Sequence, residues 1–223
     1  MTIIEDILDD GEYYKEIVPK DTIFIHHTAG SHRPDWTIHG WEKDRNKSGT
    51  RLPVATAYVI GGVSTTDGNT SFDGIVYKAF DDKYWAHHLG LTTGNNVALN
   101  KKSIGIEICS YGPLTKTKSG IFLNYVNKEV PAHMVGELAT PYRGFKYYQK
   151  YTPKQIAALK ELLLDISKRH NIDLKKGLYQ LKSFEQSADA LIGKPGLWSH
   201  SSVRRDKFDM WPQPELIAMI ATL

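Results

Sequence analysis

The stretch Thr22–His27, TIFIHH, constrains this chain more than any other. Ile23, Phe24 and Ile25 form an apolar run that gains by burial, so it reads as a core strand. Its end is the anomaly. His26 and His27 gain little from burial unless something hydrogen-bonds or coordinates them. Neighbouring side chains on a strand point to opposite faces, so at most one of the two imidazoles is expected to serve a given site. His26 shares its face with Phe24 and Thr28, and His27 shares the other with Ile23 and Ile25. Periodicity leaves the choice between them open.

Further strands are expected at 56–60, 75–80 and 103–110, where apolar and β-branched residues cluster between turn signals. Residues 35–45, DWTIHGWEKDR, read as a helix with Asp35 as its cap. The clearest helix opens at Thr152. Pro153 suits the first helical position, Gln155 completes a capping box, and Ile156, Leu159, Leu163 and Ile166 recur at helical spacing. A last helix is expected after Pro214. Strands mixed with helices point to an α/β fold, a central mixed β-sheet flanked by helices. The long segment at about 111–150 is rich in Tyr, Pro, Gly and Lys, with room for a short hairpin in IFLNYVNKEVP.

The 223 residues suit one domain with a sizeable core. The division expected is an N-terminal extension over 1–20 and a catalytic domain over 21–223, with an insertion at about 111–150. Cys109 is the one cysteine, so no internal disulfide forms and the fold does not depend on an oxidising compartment. The net charge of +3 comes with no basic stripe. That argues against nucleic acid and is compatible with an anionic polymer as substrate. No apolar run is long enough for membrane insertion. The acidic start, MTIIEDILDDGEYYKE, has no signal-peptide pattern, so a monomeric chain made in the cytoplasm is expected.

Two motifs carry chemistry. In SIGIEICS, Ser103, Gly105, Glu107 and Cys109 share one strand face, small and polar like the floor of a cleft. A carboxylate there is costly unless it is paired or used. In LWSHSSVRRDKFDMWPQP, His200 is followed by Lys207 and Asp209. His26, His200 and Asp209 make a three-ligand set of the kind that holds catalytic zinc with a fourth position for water.

IFIHHTAG, TAYVIGG, DGIVYKAF, WAHHLG, SIGIEI and SHSSVRRDKFD occur in an order and spacing that resemble the type 2 N-acetylmuramoyl-L-alanine amidases. That family includes phage amidase-type lysozymes, cell-wall recycling amidases and the peptidoglycan recognition proteins. The resemblance runs from about Asp21 to the end of the chain and thins between Ser110 and Tyr151. It implies zinc (Zn2+) as cofactor, with His26, His200 and Asp209 as ligands. It also implies Lys207 and Tyr58 as active-site residues, Glu107 as the glutamate of the recycling-type branch, and His88 as a histidine near the cleft. Asp206 and His87 are the runners-up for Asp209 and His88.

The expected function is cleavage of the amide between N-acetylmuramic acid and the L-alanine of the stem peptide. The expected partner is bacterial peptidoglycan or muropeptides, and a phage or prophage endolysin acting on the cell wall fits the missing leader. A non-catalytic recognition protein and a cytoplasmic recycling amidase are the alternatives. Trp41 and Trp85 are aromatic substrate contacts on this reading, with core packing as the competing role.

Overall fold

The apolar strands lie side by side. A computed structural model describes residues 1–92, 94–181 and 183–223. Along the chain come β1 (Ile3–Glu5), β2 (Thr22–His27), α1 (Pro34–Trp41), β3 (Tyr58–Ile60), β4 (Val76–Lys78), α2 (Asn96–Lys102) and β5 (Ser103–Ile108). Five short strands follow, β6 (Pro113–Lys116), β7 (Phe122–Leu123), β8 (Glu129–Val130), β9 (Val135–Tyr142) and β10 (Phe145–Gln149). The chain ends through α3 (Pro153–His170), α4 (Leu178–Leu181), α5 (Ala188–Leu191), β11 (Gly196–Ser199) and α6 (Pro214–Ile220).

The main sheet has the order β1-β4-β3-β5-β2-β11. Its pairs are parallel except β3 with β4, so the fold is α/β around a central mixed sheet. The register places His26 beside Glu107 and Glu107 beside Val59. It places Ile25 beside Ile106 and Ile106 beside Tyr58. Laterally adjacent residues share a face, so His26 and Glu107 point one way and Tyr58 the other.

α3 supplies much of the core, with Leu159, Leu162, Leu163 and Ile166 fully buried. Its capping box is formed: Thr152 accepts from the Gln155 N–H, and the Gln155 side chain accepts from the Thr152 N–H. Helix α1 opens two residues earlier than a cap at Asp35 predicts, with Arg33 in the cap position. Pro34 takes the first turn, and Asp35 pairs with Arg33.

The 111–150 segment is a second, antiparallel sheet of order β8-β7-β6-β10-β9. The hairpin expected in IFLNYVNKEVP is its β7–β8 pair, with Phe122 opposite Val130. This sheet is fastened to the C-terminal segment. Tyr148 stacks on Trp211 at 5.2 Å, and the Trp211 indole N–H donates to the Gln149 carbonyl at 3.1 Å. Gly136 is required there, because a Cβ would lie 2.4 Å from the Trp211 ring. The first twenty residues are tied in as well: β1 pairs with β4, and Leu8 and Tyr13 are buried. No helix among the described residues is long and apolar enough to cross a membrane.

Candidate active site

His26 stands near the C-terminal end of β2, and His200 opens the turn after the neighbouring strand β11. Asp209 returns to them nine residues later and is held by its backbone, whose carbonyl accepts from the Ser201 N–H and hydroxyl at 2.9 Å each. The three side chains are buried, and their ligand atoms lie within 4.8 Å of one another.

Hydrogen bonds around the group fix its protons. The Leu89 carbonyl can only accept, and it lies 2.9 Å from His200 Nε2, so that nitrogen carries the proton. His200 Nδ1 is then a bare lone pair, 3.0 Å from Asp209 Oδ2. A longer relay does the same for His26. The Ser103 hydroxyl donates to the Leu99 carbonyl at 2.7 Å, so Ser103 Oγ accepts from His88 Nε2 at 2.9 Å. His88 Nδ1 must then accept from His26 Nε2 at 3.0 Å. His26 Nδ1 is left as a lone pair 3.3 Å from Asp209 Oδ2.

Three acceptors therefore converge with no proton of their own to share. Such a group repels itself unless a cation joins it, and two imidazole nitrogens with one carboxylate oxygen suit zinc. The electrostatics agree. Burial, then the nearby His200, lowers the His26 imidazole to about 4, which keeps it neutral as a ligand must be. Burial alone would raise Asp209, and its carboxyl stays below the ordinary range only through the positive charge and donated protons that His200 and His26 offer it when protonated; with both nitrogens bare, a cation has to take that place.

Glu107 lies beside His26 in register, and its Oε2 is buried without a hydrogen-bond partner. Burial pushes its carboxyl well up, the Asp209 charge adds to this, and Lys207 partly offsets it. Lys207 is half-buried two residues before Asp209 and forms no ion pair among the described residues.

The structure brings together His26, His200, Asp209, Glu107 and Lys207. It does not bring Tyr58, which lies on the other face of the sheet. There the Tyr58 hydroxyl donates to Asp82 at 2.8 Å and accepts from Arg169 at 3.2 Å, and burial raises its phenol. His88 has no nitrogen left for substrate, since His26 and Ser103 take both. Trp85 is buried with Tyr14 stacked on it at 4.0 Å, and Trp41 packs against the core. His27 turns to the α3 side and bonds Tyr151 at 2.8 Å, which leaves His26 as the imidazole that faces Asp209.

The sequence reading missed the supporting groups: Ser103, the Leu89 carbonyl and Asn100. The Asn100 carbonyl oxygen accepts from the backbone N–H groups of His88 and Leu89 at 2.8 and 3.2 Å and so places the histidine. The signal for Ser103 was present in SIGIEI, where Ser103, Gly105 and Glu107 share the site face. Gly105 makes room for the relay, because a Cβ there would approach His88 Nδ1 to 3.1 Å.

Residues 16–209 match the family model described as N-acetylmuramoyl-L-alanine amidase. No curated protein matches the chain. Among solved structures, PlyL is similar at 12% identity with a TM-score of 0.53, covering 99% of this chain and 97% of that one. A mutant endolysin from Bacillus subtilis is similar at 16% identity with a TM-score of 0.50, covering 99% of each. At these identities the likeness is one of fold.

Proposed function

The chain belongs to the N-acetylmuramoyl-L-alanine amidase family, and on that premise we propose that it is a zinc-dependent peptidoglycan amidase of the endolysin kind. It cleaves the amide between the lactyl group of N-acetylmuramic acid and the L-alanine of the stem peptide. The observation that carries the zinc reading is the convergence of His26 Nδ1, His200 Nδ1 and Asp209 Oδ2, three buried acceptors without a shared proton. These atoms would hold the ion. When bound, zinc polarises a carbonyl and acidifies a water.

The chain's own groups supply the rest. Glu107 Oε2, buried and unpartnered, takes the proton of the attacking water and returns it to the leaving amine. Burial and the Asp209 charge raise its carboxyl, which makes it a stronger base than an ordinary carboxylate. Lys207 brings a fixed positive charge against the oxygen that becomes negative. Leu89, His88 and Ser103 hold the imidazoles in one tautomer throughout.

The test is digestion of purified sacculi with and without a zinc chelator, with released fragments identified by mass spectrometry. Free stem peptides beginning with L-alanine, lost on chelation and restored by zinc, are expected. Glycans that keep their peptides would overturn the proposal. Cleavage of small muropeptides but not of sacculi would overturn the endolysin part alone.

A further inference from the structure

Beside the triad runs an aromatic groove of about 240 Å³ that the mechanism leaves unused. Tyr111, Pro113, Thr115, Tyr125, Phe145 and Phe208 line it, with Ala29 at its edge. Ala29 follows His26 by three residues, Tyr111 follows Glu107 by four, and Phe208 directly precedes Asp209. The groove therefore opens at the C-terminal ends of β2 and β5, where the candidate site also lies. Tyr125 is 65% exposed and Phe208 36% exposed, a large apolar exposure for two aromatics that line one groove. The rings form two pairs, Tyr111 with Tyr125 at 6.3 Å and Phe145 with Phe208 at 5.3 Å. Most of this wall comes from the second sheet, which Trp211 holds in place.

No ionisable acid or base lines this groove apart from the tyrosine phenols. A second groove, of about 530 Å³, differs in that respect. It begins at Gly90, next to the Leu89 carbonyl that accepts from His200 Nε2, and is lined by Gly90, Gln186, Arg204, Arg205 and Asp206 among others, with Arg204 paired to Asp206. The amide to be cut joins two unlike pieces. The glycan is neutral once its lactyl carboxyl is in the amide, while the peptide ends in a carboxylate. Flat apolar rings without charge suit the faces of sugar rings, and guanidinium groups suit carboxylates.

We propose that the groove formed by Tyr111, Tyr125, Phe145 and Phe208 binds the N-acetylated glycan strand of the substrate. This rests on the reading of the neighbouring site as a peptidoglycan amidase. The second sheet then serves as a glycan-holding wall that raises the rate on polymeric wall over isolated muropeptide.

The experiment compares kcat/KM for the same stem peptide carried on one muramoyl sugar and on a four-sugar glycan. Wild type is expected to prefer the longer substrate. Tyr125→Ala and Tyr111→Ala are each expected to reduce that preference about three- to tenfold. Tyr125 is exposed enough that its truncation leaves the fold intact, and Phe208→Leu tests the ring beside Asp209 while keeping it apolar. An equal loss on both substrates, or an unchanged preference, overturns the proposal. A second arm titrates the N-acetylglucosamine tetramer into the chain and follows the aromatic resonances by NMR. Shifts of Tyr125 and Phe208 that vanish in Tyr111→Ala support the groove, and shifts produced only by free stem peptide overturn it. If wild type cleaves neither substrate, the amidase reading fails, while the tetramer arm still judges the groove.

Discussion

His26 Nε2 lies 3.0 Å from His88 Nδ1, and that single bond decides which nitrogen of His26 faces Asp209. His88 can accept only because its other nitrogen donates to Ser103, whose hydroxyl is engaged by the Leu99 carbonyl. Removing the acceptor frees His26 to change tautomer or to rotate away. His88→Ala should therefore weaken zinc binding about 10- to 100-fold, the usual cost of losing such a supporting bond. His88→Gln, which keeps an acceptor, should recover part of that loss, and Ser103→Ala should cost less than His88→Ala. Competition against a chromophoric chelator measures this directly, and equal affinity in all four proteins would refute it.

Glu107 is expected to trade stability for activity. Its carboxyl is raised in the folded chain by burial and by Asp209. A raised carboxyl stabilises the fold at low pH, and that contribution is lost as pH rises through the folded value. At pH 8, above the ordinary carboxylate range, the metal-free fold bears the cost of either burying that charge or holding the proton against solvent, and Glu107→Gln removes the cost. The variant should melt higher than wild type in chelator at pH 8, by about 2–4 °C for each kcal/mol relieved. The gap should narrow at pH 5. Its amidase rate should fall about 10²- to 10⁴-fold with zinc still bound. A variant that melts lower at pH 8 would contradict the burial argument.

Tyr58 should prove structural. Its hydroxyl belongs to a network with Asp82, which also pairs with Arg169 at 2.7 Å and His170 at 3.1 Å. Tyr58→Phe leaves Asp82 with its other partners and takes nothing from the His26 face. Stability should drop by about 1 kcal/mol and kcat/KM should stay within about threefold of wild type. Denaturant titration and a turnover assay decide it, and a hundredfold loss of rate would return the tyrosine to the chemistry.

How far the sequence could be read follows from what each feature depends on. β2, β5 and α3 were legible because local signals suffice: an apolar run, strict alternation, and a capping box that the structure forms. The face on which Tyr58 falls depends on the register of β3 against β5, which no local pattern carries. Only tertiary hydrogen bonds reveal that both nitrogens of His88 are engaged. α2 escaped notice because NVALNKK is short and mostly polar, and its buried Asn100 works through backbone contacts rather than apolar spacing. The second sheet is made of strands two to eight residues long, too brief for periodicity to show.

Lys207 stands two residues before Asp209 and its charge reaches Glu107, so on the proposed mechanism its loss should register in two ways. As a fixed cation near the developing oxyanion, it should be worth about 10²- to 10³-fold in kcat, with little change in KM or zinc content for Lys207→Ala. Its charge also lowers the carboxyl of Glu107 against burial and Asp209. Without that cation Glu107 holds its proton more tightly, so the pH at which the base becomes competent must rise. The acid limb of the kcat/KM profile should move to higher pH in Lys207→Ala and return toward wild type in Lys207→Arg. A purely structural lysine would lower the rate only together with zinc content or melting temperature, without moving that limb. A fall in kcat with an unshifted limb would therefore keep the oxyanion role and remove the coupling to Glu107, while an unchanged kcat would remove both.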